Sequence, residues 1–471
     1  MPEPRTWQLT TCSVVLGLAL AAGAVTATGP WDNGQRKAER ARAAATAPTG
    51  GAHHAPAPGP AGPPRPAPAP SAAGVLRALA TPHTTRPADL AATLVPLLAD
   101  PGLGPLRTAS VVDATTGEQL YGEGATTPMT PASTIKIASS VAALSALGPD
   151  HRIPTTVIAS PDGRTVTLVG GGDPTLDRTR LKALADTTAR ALKGRGVTAV
   201  RVAYDTSLYQ GPARHPIGVD ENIAPVSALM LNAGRLDGSV SGIAARSTDP
   251  AGDTAAAFAE LLTTSGTKVQ GAPAPGRAPQ GADGAEAAPL ARTESAPLSA
   301  LVERTLTNSD NDLAEALARQ TALARKQPAS FAGAGKAVQA ELAALGLPTV
   351  GARFTDGSGL SRDNRLSAAL LTGLLTRAAD PTRPALRPVL TGLPVGGFSG
   401  TLKSRFDTGP ALGGAGLVRA KTGTLKGVNA LAGTVVTADG RLLAFAFLAG
   451  RTPSPYTAQP ALDHLSAALV R

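Results

Sequence analysis

Apolar and polar positions change rhythm three times along the chain. From Pro87 the run ADLAATLVPLLAD carries its apolar residues at helical spacing. Thr108 to Val112 and Gln119 to Tyr121 then flank Asp113-Ala114-Thr115-Thr116-Gly117, which predicts a strand, a turn and a strand. After Pro131 the run STIKIASSVAALSAL keeps helical spacing with neither Gly nor Pro before Gly148, so Ser133 falls at or near a helix start. Residues 152 to about 290 differ in style. They carry a hairpin signal at Pro161-Asp162-Gly163, a loop at Gly170-Gly171-Gly172-Asp173-Pro174, a helix from about Asp177 to Lys193 and a strand at Val197 to Val202. This stretch ends in a boundary loop, Gly271 to Pro289, and reads as an inserted α/β region. Helical patterns resume from Ser299 to Ala324 and near Leu366 to Arg377. Leu417 to Lys421, Ala430 to Val436 and Leu442 to Leu448 read as strands, and Ala458 to Val470 as a last helix. Strands first, helices in the middle and strands last predict an α+β fold: one sheet assembled from both ends of the chain, with helices packed on it.

The first eighty residues follow another logic. Cys12 to Thr28 is seventeen residues without a charge, which reads as an export signal or short membrane anchor within residues 1–30. Between Pro56 and Pro70 eight of fifteen residues are proline, so residues 31–80 read as a Pro/Ala-rich disordered linker, stretched by the fixed φ of proline and unable to bury a core. The expected organisation is therefore 1–30 signal or anchor, 31–80 linker, 81–151 first part of a catalytic domain, 152–290 insert and 291–471 second part. An exported chain works at the outer face of the membrane or in the cell wall, touching membrane only through the N-terminal segment if that is retained.

Composition narrows the chemistry. Of 471 residues, 42% are hydrophobic and 17% charged, so a sizeable core is available. Cys12 is the single cysteine, which excludes disulfides and cysteine nucleophiles downstream. The net charge of +10 is spread out and only 13 residues are aromatic, which argues against nucleic acid. No His-Glu-x-x-His, Gly-x-Ser-x-Gly or phosphate-loop pattern is present, so neither a metal nor a cofactor is implied.

Ser133-Thr134-Ile135-Lys136 puts a hydroxyl and an amine on one helical face, within reach of each other. Serine attacks a carbonyl only if a base takes its proton, and lysine can be that base only if its pKa falls well below about 10.4. Burial and a second cation both lower it. Ser265-Gly266-Thr267-Lys268 has the same spacing but a glycine inside and no apolar helical run after it, so it reads as a surface coincidence. Ser309-Asp310-Asn311 precedes the helical run DLAEALARQ, and Lys421-Thr422-Gly423-Thr424 follows the strand pattern LVRA. Taken singly these read as a helix cap and a polar strand end.

In this order, Ser-x-x-Lys, Ser-x-Asn and Lys-Thr-Gly form the motif set of the penicillin-binding proteins and class A β-lactamases. The chain most resembles the low-molecular-mass D-alanyl-D-alanine carboxypeptidases/endopeptidases that carry a large insert between the first two motifs. PASTIK, GGGDPTL, NSDN, DGSGLSR, GTL and KTGT carry the similarity, over about residues 85–471. The resemblance implies the transpeptidase-like fold of that group, an antiparallel sheet covered by helices beside an all-helical side. It implies a peptidoglycan stem peptide as substrate and β-lactams as covalent inhibitors. It makes Ser133 the acylated nucleophile, Lys136 its base and Ser309 a proton relay. Asn311 would hold a substrate amide, while Lys421 and Thr422, assisted by the Thr424 hydroxyl, would hold the terminal carboxylate. The backbone N–H groups of Ser133 and Thr424 would form the oxyanion hole. If near in space, Lys421 would also be the cation that keeps Lys136 neutral. The rival readings are a β-lactamase of the same fold, disfavoured by the 176 residues between Ser133 and Ser309, and a catalytically silent penicillin or muropeptide receptor.

Overall fold

The computed structural model describes residues 87–279 and 288–470. The apolar N-terminal run, the proline tract and part of the loop between Gly271 and Pro289 lie outside the described residues. In chain order the elements are α1 (Pro87–Leu98), β1 (Leu106–Asp113), β2 (Gln119–Glu123) and α2 (Ile135–Leu147). There follow β3 (Pro154–Ala159), β4 (Thr165–Gly170), β5 (Asp173–Leu176), α3 (Arg178–Gly194), β6 (Ala199–Asp205) and β7 (Leu229–Leu231). Next come α4 (Pro250–Thr264), β8 (Lys268–Val269), β9 (Ala274–Pro275) and β10 (Ala291–Glu294). The chain closes with α5 (Leu298–Asn308), α6 (Asn311–Ala324), α7 (Phe331–Ala344), α8 (Ala368–Ala379), α9 (Pro388–Thr391), β11 (Val418–Leu425), β12 (Val428–Val436), β13 (Leu442–Gly450) and α10 (Pro455–Ala467). Among the described residues no helix is long and apolar enough to cross a membrane.

The five-stranded sheet has the order β11-β12-β13-β1-β2, antiparallel throughout, so its middle joins strands from both ends of the chain. Alternation along β13 divides the core in two. Leu443, Phe445 and Phe447 pack with Leu94 of α1 and Leu465 of α10. Ala444, Ala446 and Leu448 face the other way, into a cluster built by α2, α5, α6, α7 and α8. Small residues on that face let the helices come close. Each fully buried Leu or Phe contributes roughly 1.5–3 kcal/mol, so the two clusters fix the sheet between its helical layers.

The second sheet, β10-β3-β4-β6-β8 with β9 also on β6, mixes antiparallel and parallel pairs. Leu181 and Leu192 of α3 and Phe258 and Leu262 of α4 bury against it. Its closing strand pairs Glu294 with Pro154, so the chain leaves and re-enters the first body side by side.

Several local expectations change. The strand expected to end at Lys421 runs on to Leu425, so Lys421-Thr422-Gly423-Thr424 lies inside β11 rather than after it. Asp173 begins the short strand β5 instead of belonging to a loop. The helical run from Ser299 breaks at Ser309. Helices α4 and α7 are not among the expected elements, although Ala255, Phe258, Ala259 and Leu262 of α4 and Ala334, Ala337, Val338 and Leu342 of α7 bury a stripe at helical spacing. In α7 glycines interrupt the pattern, yet a Cβ on Gly333 or Gly335 would lie 1.9 Å from the carbonyl oxygens of Pro328 or Phe354. The glycines are there for close packing, at a cost in helix propensity.

Candidate active site

The turn that carries Ser133 is strained. Pro131 leads into a 3-10 turn, Ala132–Thr134, in which Ala132 has φ +47°, left-handed backbone that a residue with a Cβ rarely adopts. Helix α2 starts two residues after Ser133, whose Oγ lies 2.9 Å from Lys136 Nζ. Lys136 is wholly buried. Its Nζ also donates to Asn311 Oδ1 at 2.7 Å and to the Ser358 carbonyl at 2.5 Å. Two of these three partners can only accept. When Lys136 loses its proton it keeps two N–H groups for them, and its lone pair is left facing the hydroxyl of Ser133.

The second motif is placed by a helix break. Helix α5 ends at Asn308, and Ser309 sits in the left-handed region (φ 57°, ψ 37°). Asp310 caps α6 by accepting from Leu313 N at 3.0 Å. Asn311 is then the first residue of α6, and its Nδ2 donates to the Asn222 carbonyl of the inserted region at 3.0 Å.

The third motif lies on β11, the edge of the five-stranded sheet. Strand alternation puts Thr422 and Thr424 on one face, Lys421 and Gly423 on the other. A Cβ on Gly423 would stand 2.7 Å from the Pro131 carbonyl, so only glycine lets the strand edge approach the Ser133 turn this closely. Thr422 Oγ1 lies 2.9 Å from Thr401 Oγ1, of the Gly400-Thr401-Leu402 turn. Lys421 is fully buried and donates to the Thr422 carbonyl at 2.8 Å.

Ser133, Ser309, Asn311, Thr422 and Thr424 line one cleft of about 270 Å³. The two lysines stand behind its wall. Burial pulls Lys136 down to about 8, against the upward pull of Asp356, Glu315, Asp310 and Asp312. Lys421 is pushed well below the ordinary lysine value by burial and then by the charge of Lys136. Burial is the main cause of both depressions, and the repulsion between the two lysines adds to it. The decoy pair goes elsewhere, since Ser265 Oγ donates to Asp186 and to the Leu261 carbonyl.

Sequence reasoning missed what holds this arrangement. The carbonyl that takes Lys136 belongs to Ser358, in the Asp356–Ser361 loop. Glu315 of α6 accepts from Gly357 N at 3.0 Å and Ser358 N at 2.9 Å. Asp356 accepts from Gly359 N, Ser361 N and the Asn364 amide, and His215 of the inserted region lies 2.9 Å from its Oδ2. Burial raises Asp356, but the hydrogen bonds from His215 and Asn364 and from the two backbone amides hold it below the usual carboxylate range. Burial and the neighbouring Asp356 push Glu315 up. His215, Glu315 and Asp356 bring ligand-type atoms within 4.8 Å of one another. With both Asp356 oxygens already taking protein donors, the trio fits a hydrogen-bond network better than a metal site. The inserted region also reaches the cleft through Glu221, Asn222, Arg235, Ile243 and Arg246.

Residues 90–244 and 236–469 match the D-Ala-D-Ala carboxypeptidase 3 (S13) family. The chain belongs to that family. Carboxypeptidase DacB of Mycolicibacterium smegmatis is 39% identical to this S13 family member over 410 residues, covering 83% of this chain and 85% of the relative. The D-alanyl-D-alanine carboxypeptidase of an Actinomadura species is 30% identical over 475 residues, 83% of this chain and 86% of its own. Penicillin binding protein 4 of Haemophilus influenzae shares the fold with a TM-score of 0.66 at 22% identity, over 78% of this chain and 97% of that one. The transpeptidase-like α+β fold implied by the motifs is thus the fold of this S13 family member.

Proposed function

We infer that this chain is a serine D-Ala-D-Ala carboxypeptidase that acts outside the cytoplasm on peptidoglycan stem peptides, through an acyl-enzyme on Ser133. The observation that carries the reading is the 2.9 Å contact between Ser133 Oγ and a buried Lys136 whose other two partners are pure acceptors. Neutral Lys136 takes the Ser133 proton as Oγ bonds to the scissile carbonyl carbon. The carbonyl oxygen, now negative, turns to the backbone N–H groups of Ser133 and Thr424. As the C–N bond breaks, Ser309 relays the proton held on Lys136 to the departing amine of D-alanine, while Asn311 holds the amide of the acyl part. Water then attacks the ester, giving its proton to Lys136, and Ser133 leaves as a restored hydroxyl. Thr422 and Thr424 contact the terminal carboxylate, and Lys421 supplies positive potential from behind them.

A β-lactam offers the same serine an amide carbonyl beside a carboxylate. A related fold, penicillin binding protein 4 of Haemophilus influenzae, has been solved with a β-lactam, which supports treating Ser133 as the residue acylated by penicillins. We read residues 152–290 as an insert between two parts of one catalytic body, 81–151 and 291–471; the pairing of β10 with β3 carries its sheet on to Glu294. The test combines two measurements on the full chain. Mass spectrometry after penicillin treatment should locate a long-lived adduct on Ser133, and a D-Ala-D-Ala-terminated peptide should release D-alanine. An adduct elsewhere, or an adduct with no D-alanine released, overturns the reading. Rapid multiple turnover of a cephalosporin reporter would instead favour the β-lactamase.

A further inference from the structure

A second cleft, of about 700 Å³, shares no lining residue with the one that holds Ser133. Four cations line it, Arg362, Arg365, Lys426 and Arg451, and no acid does. They come from three places along the chain: the stretch after the Asp356–Ser361 loop, the turn between β11 and β12, and the exit of β13. Among the described residues none of the four has a carboxylate within ion-pair distance, whereas Arg405 and Arg441 are paired with Asp463 and Asp113. The partners they do have are neutral oxygens. Arg362 Nη2 donates to the Lys426 carbonyl at 2.7 Å. Arg365 Nη1 donates to Thr130 Oγ1 at 3.0 Å and to the carbonyls of Arg362 and Asn364 at 2.6 and 2.7 Å. Among the described residues the other guanidinium nitrogens of this pair, and the whole head groups of Lys426 and Arg451, have no protein acceptor. Like charges gathered without a counter-charge repel one another, and an anion laid among them relieves that repulsion.

The backbone presents these side chains to solvent. Lys426 and Gly427 form the two-residue turn between β11 and β12, with Gly427 at φ +71°, and Lys426 is exposed at the tip of that hairpin. Arg451 follows β13 at φ 55°, left-handed backbone that is strained for a residue with a Cβ, and it too is exposed. The remainder of the lining is largely apolar. Leu106, 45% exposed, Met129 and Val428 lie among the cations, with the Thr130 hydroxyl. The lining has neither an aromatic ring nor a side-chain amide.

We propose that this groove binds a phosphodiester-linked anionic polymer of the cell envelope, a chain of short polyols joined by phosphates, and so docks the protein on that polymer. The inference goes beyond the D-alanine-releasing reaction and takes from it only the location outside the cytoplasm. A guanidinium fork matches two oxygens of a phosphate, and a lysine adds a compact point charge. Cations set on three segments along one groove suit a charge that repeats along a chain better than a single anion. Apolar side chains between them suit the carbon links between phosphates. An acidic polysaccharide presents ring faces and many hydroxyls, for which this lining has no aromatic ring and no amide. A single-stranded nucleic acid lacks its stacking platform here for the same reason.

The test measures binding of a glycerol phosphate oligomer to the full chain at low and at physiological salt. The wild type should bind it and lose affinity as salt rises. Lys426→Gln combined with Arg451→Gln should weaken binding about tenfold or more, and Lys426→Arg combined with Arg451→Lys should restore most of it. Lys193→Gln combined with Arg195→Gln removes the same charge from the exposed end of α3 and should leave affinity within about twofold. D-Alanine release from a short peptide should be the same in all of these proteins, because the groove lies outside the peptide cleft. Equal weakening by the two neutralised pairs would mean that net charge alone is at work, and overturns the site. So would no binding of the oligomer, or tighter binding of poly-L-glutamate, polygalacturonate or phosphatidylglycerol vesicles at equal charge. Loss of D-alanine release in the neutralised Lys426 and Arg451 pair alone would assign these cations to the peptide and overturn the proposal too. No release from any of the proteins, with the binding pattern as expected, would count against the reaction and uphold the groove.

Discussion

In the proposed reaction Lys136 is the base, and its protonation has a definite sign. Only the neutral amine can take the Ser133 proton, and burial lowers Lys136 to about 8. Below that value the neutral fraction rises about tenfold per pH unit, and above it the gain levels off. The rate of acylation by penicillin should therefore climb from pH 6 to pH 8 and then flatten, and Lys136→Arg, which stays protonated, should lose roughly 10²–10⁴-fold at every pH. Stopped-flow labelling across that range checks both. Lys421 behaves differently. It is fully buried, has no carboxylate partner among the described residues and is depressed both by burial and by Lys136. A carboxylate arriving at Thr422 and Thr424 favours the ammonium form again, so binding should draw a proton from solvent. Calorimetry of Ser133→Ala with a D-Ala-D-Ala peptide, in buffers of different ionisation enthalpy, should show net proton uptake on binding; zero exchange at every pH tested would refute it. The type and spacing of Ser133 and Lys136 were legible in the sequence. The difference between the two lysines was not, because both are wholly buried and only Lys136 has carboxylates (Asp356, Glu315, Asp310 and Asp312) pulling it back up.

Among the elements, the Asp356–Ser361 loop is what aims Lys136. Glu315 of α6 gathers two of its amides, and Gly359 lies so close to the Ser133 turn that a Cβ would come within 2.1 Å of the Ala132 carbonyl. Gly359 also has φ +88°. Gly359→Ala should cost about 1–3 kcal/mol from strain alone and slow acylation by pushing the turn aside; denaturant melts and penicillin labelling read the two effects separately. Glu315→Gln keeps the accepting oxygen and should retain most of the labelling rate. Glu315→Ala frees two buried amides and should slow labelling by about tenfold or more. Equal losses in both variants would mean that the charge, and not the geometry, matters. Helix and strand periodicity announced α2, β12 and β13, whose apolar residues follow one period. It gave no hint that Glu315 or Ser358 touches the site, since both lie in segments where polar residues look like ordinary surface or loop.

For the whole molecule, residues 215–246, which we read as part of an insert, help build the proposed active site. Asp312 of α6 accepts from Ala224 N at 3.0 Å and pairs with Arg246, both from the inserted region, while Asn222 meets Asn311 and His215 meets Asp356. Arg246→Ala leaves a buried carboxylate without its partner and should destabilise the protein by about 3–5 kcal/mol, read as a shift in the urea midpoint. Acylation should fall with it even though Arg246 is remote from the reaction's proton path. A midpoint within experimental error of the wild type would show that the two bodies are not tied together in this way.

The linear order of residues by itself determined the inventory of reactive groups. With no cysteine after Cys12, a serine with an amine one helical turn on, a Ser-Asp-Asn helix start and a Lys-Thr-Gly after a strand pattern, local chemistry and period offered the candidate groups and an α+β order, and the resemblance of the ordered motif set supplied their roles. Tertiary structure alone decided the rest. Burial, the direction of each pKa shift, the carbonyl that Lys136 points to and the guanidinium that residues 235–246 lay along the cleft all arise from contacts between segments up to nearly three hundred residues apart. Such contacts depend on which faces happen to meet once the core has formed, and no local pattern encodes them.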